Sequence, residues 1–166
     1  MILNTELEYK GDLFPANITD YKKDVDVLHF STTNNVVLQL TVLRDSVLRF
    51  RYATSGKFEN DFSYAIDENA SRGYNHLEIE DDKEKYTITT SKLICQIYKS
   101  DLRKSIFDAK DGAIICEDEK GFHWEESYEH GGDIVKMSKV SHEGESYYGL
   151  GDKPNHLNLK GKRYEN

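Results

Sequence analysis

Two histidines and three glutamates between residues 123 and 130 form the densest group of proton- and metal-binding side chains in the chain: His123, Glu125, Glu126, Glu129 and His130. No His-Glu-x-x-His or comparable ligand spacing occurs among the six histidines, so no metal is expected. Glycoside chemistry needs two carboxyls about 5–5.5 Å apart for retention, or about 6.5–9.5 Å for inversion. Thirty acids offer many combinations, and none is placed by sequence alone. Glu125 and Glu126 are neighbours in a strand-like run, so they should face opposite ways. Glu117-Asp-Glu119 reads as a solvated turn. Gly121-Phe-His-Trp124 sets aromatic rings beside a glycine. Trp124 and Tyr148 are therefore candidates for stacking on a sugar ring, although a lone tryptophan also suits the core.

Other chemistries find no support. There is no Gly-x-Ser-x-Gly elbow and no phosphate-cradling loop, and Gly149-Leu-Gly151 is followed by no helical pattern. No catalytic residue and no cofactor is assigned. Cys95 and Cys116 lie in separate apolar strand patterns, with 20 residues between them, and read as buried thiols rather than a disulfide.

The elements that must position these residues are strands. Val36, Leu38, Leu40 and Val42 alternate with Val37, Gln39 and Thr41; Leu48, Phe50 and Tyr52 alternate with Val47, Arg49 and Arg51. Period two marks strands with one buried face. Arg44-Asp45-Ser46 between them suits a hairpin turn. Further strands are expected at His76–Glu80, Tyr86–Thr90, Leu93–Tyr98, Ser105–Asp108, Ala113–Cys116 and Ile134–Val140. No long segment carries a capped helical period. Many short strands with polar turns predict an all-β antiparallel sandwich. Residues 1–146 should form it. Residues 147–166, with three glycines and a proline, read as a loop and short strand.

The 166 residues suffice for one domain but not for a (β/α)₈ barrel, which takes about 250. A net charge of −8 disfavours nucleic acid as a partner. No apolar run reaches a membrane-spanning length, and the first residues show no signal peptide. The compartment stays open between cytoplasm and periplasm or secretion. Eleven tyrosines favour strands and half-wet surfaces.

Tyr147-Tyr-Gly-Leu-Gly-Asp-Lys153, followed by Leu157-Asn-Leu-Lys-Gly-Lys-Arg163, resembles the stretch leading into the catalytic barrel of bacterial glycoside hydrolase family 31, the α-glucosidases and α-xylosidases. Asp152 stands where that family more often has Glu. Val47-Leu-Arg-Phe-Arg-Tyr52, Phe62-Ser-Tyr-Ala-Ile66, Leu93-Ile-Cys-Gln-Ile97 and Gly121-Phe-His-Trp124 are similar to its upstream segments, in the same order.

The resemblance implies a galactose-mutarotase-like sandwich that precedes the barrel. It also implies a chain that stops short of the barrel and is itself non-catalytic. Its partners would be the parent's own barrel and an oligosaccharide or α-glycoside substrate. Asp152, Lys153 and His156 are then candidates for the active-site rim. An exposed apolar docking patch and some self-association through open sheet edges are expected. The competing readings are a stand-alone carbohydrate-binding module and a mutarotase-like sugar epimerase.

Overall fold

The computed structural model describes residues 11–61, 76–127, 132–149, 157–161 and 163. Ten strands form two antiparallel sheets. The first holds β1 (Ile18–Asp24), β2 (Val27–Thr32), β3 (Val37–Arg44) and β4 (Val47–Ala53), in that order. The second holds β5 (Glu78–Asp81), β6 (Lys85–Thr89), β7 (Leu93–Tyr98), β8 (Lys104–Asp108), β9 (Ile114–Ser127) and β10 (Gly132–Lys139), with β5 and β10 at its edges. The all-β sandwich expected from the alternation is the fold found.

The pairing follows the pattern of side chains. Leu38, Leu40 and Val42 of β3 and Leu28 and Phe30 of β2 are fully buried, while the residues between them are half-buried. Cys95 and Ile97 of β7 and Ile88 of β6 close the core from the second sheet. Each such side chain contributes about 1.5–3 kcal/mol by leaving water. Aromatic rings join the layers: Tyr52 of β4 stacks on Phe122 of β9 at 4.1 Å and 6°, and Tyr21 and Phe30 both meet Tyr86. Thus β4 lies over β9, and β1 and β2 lie over β6.

One strand of the second half and two of the first differ from the sequence expectation. β1 and β2 were not foreseen, because the charges of β1 hide its pattern. β9 was expected to stop at Cys116, with Glu117-Asp-Glu119 as a solvated turn; instead it runs through to Ser127. Asp118 points inward and is buried. Its charge is met there by lysines from the neighbouring strands, so the polar run stays in the sheet. Opposite β10 the register shifts between Ser138 and Lys139, and Gly121 takes a φ of 69°. This irregularity lets β9 leave β8 and continue along β10.

An N-terminal strap fills the place that β8 vacates. Leu13 exchanges backbone hydrogen bonds of 2.7 and 3.0 Å with Trp124. On the outer face the Phe14 ring stacks on His123 at 5.2 Å. Cys95 and Cys116 both lie across from Ile106, one on each side, and both are free thiols. Two strand spacings separate them, about 9–10 Å, beyond the Cα separation of about 7 Å that a disulfide can bridge. Cys95 is buried as expected, whereas Cys116 is only half-buried.

Candidate functional site

Two places in the fold collect polar chemistry. One is buried and the other faces solvent.

The buried one lies between the sheets. Lys104 Nζ donates to Asp118 Oδ2 at 2.8 Å and to the Tyr52 hydroxyl at 2.6 Å, reaching β4 from β8. The Lys104 backbone N–H donates to the same Asp118 oxygen at 3.1 Å. Lys139 of β10 donates to Asp118 Oδ1 at 2.5 Å. The ammonium of Lys104 also lies 5.0 Å from the Phe50 ring. Burial, with Asp118 next to it, drives the Tyr52 phenol far above its ordinary range. The group is a charged clamp across four strands. The Lys104 and Asp118 side chains are 2% and 0% exposed, so no substrate reaches them.

The outer face of β9 carries His123 and Glu125, while Glu126 points the other way and is exposed, as alternation requires. His123 is buried under Phe14, and its Nε2 lies 3.9 Å from Asp12. Lys136 binds Asp12 at 2.6 Å and Glu125 at 2.7 Å. These two carboxylates, Asp12 foremost, raise the Lys136 ammonium above its usual range. Glu125 is thus engaged by a lysine. Among the described residues no three His, Cys, Asp or Glu side chains converge to hold a metal ion. Glu129 and His130 lie outside the described residues.

The solvent-facing place is the closing segment. Leu159 is buried, and its N–H donates to the Tyr147 carbonyl at 2.8 Å. The Tyr147 N–H donates to Asn158 Oδ1 at 3.1 Å, and Asn158 Nδ2 donates to Ser146 Oγ at 3.0 Å. Lys160 Nζ donates to the His142 carbonyl at 2.7 Å. Glu145 accepts from the Tyr147 hydroxyl at 2.9 Å and from the His142 N–H at 2.8 Å. The Tyr147 bond, then the His142 bond, hold the Glu145 carboxyl below its usual range. Residues 142–149 and 157–161 therefore brace each other. Within them Tyr148 is 62% exposed and Leu157 82% exposed.

The expected site residues fare unequally. Asp152, Lys153 and His156 lie outside the described residues. So does the Phe62–Ile66 segment. Of the two rings considered for sugar stacking, Tyr148 is exposed. Trp124 is 7% exposed and packs with Phe122 in the core. Its neighbour across the strap is backbone, and its indole serves as core. The Lys104–Asp118 clamp was missed, since its partners meet only through the β8–β9 register. The one available signal was an aspartate at inward parity in a strand.

Exposed apolar side chains include three close pairs: Ile114 with Ile115, Val135 with Met137, and Tyr147 with Tyr148. An open groove of about 550 Å³ lies between Asn17, Glu84, Tyr98 and Ser100. Lys99 on its wall is held by Asp81 and sits over Tyr86.

Residues 37–166 match the family described as the glycosyl hydrolase 31 N-terminal galactose mutarotase-like domain. Among solved structures, the chain is similar to a Flavobacterium johnsoniae family 31 dextranase complexed with isomaltotriose. That match has 26% identity and a TM-score of 0.76 over 90% of this chain and 18% of the dextranase. A cycloalternan-forming enzyme of Listeria monocytogenes matches at 21% identity and a TM-score of 0.72, over 92% of this chain and 14% of the enzyme. An α-xylosidase of Xanthomonas citri matches at 19% identity and a TM-score of 0.72, over 85% of this chain and 16% of the xylosidase. The chain thus spans less than a fifth of each. No curated protein sequence matches it.

Proposed function

The chain belongs to the N-terminal galactose mutarotase-like domains of glycoside hydrolase family 31, and we propose on that premise that it acts as the non-catalytic sandwich of a larger α-glycosidase. The observation that carries the proposal is the closing segment. The family match runs through it, and it is braced by Glu145, Asn158 and Lys160. A fixed base with an exposed Tyr148 suits a loop that reaches beyond the sandwich. In this reading Asp152, Lys153 and His156 extend from the base toward the rim of the parent's pocket, and Tyr148 offers a face to sugar or barrel. The sandwich braces the barrel and helps shape the pocket mouth.

The parent reaction is retaining hydrolysis of a terminal α-glycosidic bond. One carboxylate attacks the anomeric carbon while a second protonates the leaving oxygen, and both belong to the barrel. Similarity to a dextranase complexed with isomaltotriose favours an α-glucosyl substrate over an α-xylosyl one. The clamp at Lys104 and Asp118 keeps the sandwich in register while leaving its surface free for docking.

The test is an assay of the chain alone with p-nitrophenyl α-glucoside and isomaltotriose, paired with calorimetric titration of both. No turnover and no heat are expected. Turnover overturns the non-catalytic reading. Binding without turnover replaces it with a stand-alone carbohydrate-binding module, for which the exposed Tyr148 would be the platform.

A further inference from the structure

The outer edge of β10 has no strand beside it among the described residues. The other edges are guarded. β5 has four residues and carries Glu78, Glu80 and Asp81, which repel a copy of themselves. β1 is charged along its length, and β4 is flanked by the Arg49–Asp61 bidentate pair at 2.6 Å. Short or charged edges resist added strands. β10 instead has eight residues, with Val135 66% and Met137 46% exposed.

The backbone direction of β10 follows from its neighbour. Trp124 spends its N–H and C=O on Leu13, on the side away from β10. Val135 is the direct partner of Trp124, so this is a non-hydrogen-bonded pair of the β9–β10 ladder. The N–H and C=O of Val135 therefore point outward, to the open edge. Those of Asp133 and Met137 do the same by alternation. The side chains of these three residues share the face of Phe122 and Trp124.

We propose that a second copy of this chain pairs antiparallel along this edge, with the two-fold axis at Lys136. This register sets Val135 against Met137 of the second copy, and Met137 against its Val135, each through outward backbone groups. It also places Asp133, which Thr54 holds, beside Lys139 of the second copy, which Asp118 holds, so the apolar pairs carry the register. Apolar pairs directly across a ladder stabilise it. A one-residue slip would turn outward groups against inward ones. A slip by two would set Val135 against Lys139, or Asp133 against Met137. Of these registers, only the axis at Lys136 sets an apolar residue against both Val135 and Met137. The two Lys136 side chains meet on the other face, and each already holds Asp12 and Glu125. The interface is isologous, as a closed dimer requires. It does not depend on the catalytic chemistry of the family.

The register makes the test specific. At the axis two copies of residue 136 form a non-hydrogen-bonded pair, with Cα atoms about 4.5 Å apart, inside the range of about 4.4–6.8 Å seen for disulfides. In a Cys116→Ser background, oxidation of the Lys136→Cys variant should give a covalent dimer on non-reducing gels. The Ser138→Cys variant faces Ile134 of the second copy and should give none. Sedimentation equilibrium of the wild-type chain should show a mass rising toward twice the monomer value with concentration, and Val135→Lys should abolish the rise. A wild-type mass that stays monomeric overturns the proposal. So does a dimer that survives Val135→Lys, or equal crosslinking at both cysteine positions.

Discussion

Lys104 Nζ and Asp118 Oδ2 meet 2.8 Å apart between the two sheets, in a place that water does not reach. The pair ties β8 to β9, Tyr52 extends it to β4, and Lys139 extends it to β10. Buried charges are costly to desolvate, and removing one partner strands the other. Asp118→Ala should therefore lower unfolding stability by about 3–5 kcal/mol, measured by urea titration. Replacing the whole group with apolar residues, as in Lys104→Met with Tyr52→Phe and Asp118→Leu, should recover more than half of that loss. If the triple variant is no more stable than the single one, the cost lies elsewhere than in the stranded charges.

That clamp also shows where sequence reading stops. β3, β4, β6 and β7 were legible because their inward residues are apolar and their outward ones polar. The hairpin at Asp45 and Ser46 was legible because its residues are turn formers. Asp118 looks like a solvated acid in isolation. Its partner stands 14 residues earlier, and the two meet only once β8 and β9 are in register. The same rule hid the length of β9, since a polar run reads as a turn unless its charges are known to be met. The closing segment was legible through its motif, but the bracing of Tyr147 by Asn158 was not, because it needs two separated loop residues side by side.

Cys95 is fully buried in the core, and burial pushes its thiol up to about 12. Its folded pKa thus lies above its ordinary value of 9.0. The folded state holds the proton where the unfolded chain releases it. Stability from this source is whole below the ordinary thiol value of 9.0. It is lost as pH rises toward 12, at up to about 1.4 kcal/mol per pH unit. Thermal melts should show the loss starting near pH 9, with the buried Tyr52 phenol steepening it further up. Cys95→Ala should flatten the early part of the curve. At pH 8 a thiol reagent should label Cys116 in the native chain, and Cys95 only after denaturant is added.

Glu145 carries the opposite sign. Its carboxyl is held below the ordinary 4.5 by the Tyr147 hydroxyl and then by the His142 N–H. A depressed pKa gives support that is present above the ordinary value and fades as pH falls through the folded one. The closing segment should loosen below about pH 4.5 while the sandwich stays folded. Tyr147→Phe removes the first bond. In that variant the Glu145 carboxyl should titrate at higher pH by NMR, and amide exchange at Leu159 should speed up. Unchanged titration would mean that the hydroxyl contributes nothing to the bracing.

Gly121 is where β9 changes neighbours, and it does so at a φ of 69°. A side chain there meets two obstacles. The left-handed backbone costs an L-residue about 1–2 kcal/mol. An added Cβ would also lie 3.0 Å from Asp118 Oδ2 and 3.2 Å from Arg103 Cγ. The Arg103 side chain faces solvent and can yield, but the Asp118 carboxylate is fixed by both lysines. Gly121→Ala should therefore cost more than backbone conformation alone, about 2–4 kcal/mol in urea titration. In an Asp118→Ala background the carboxylate is gone, and the same substitution should cost only the conformational share. A cycle of the two variants and their combination reads this coupling directly. Additive losses would show that the glycine serves the bend of β9 alone; a smaller loss in the double variant ties the bend to the clamp.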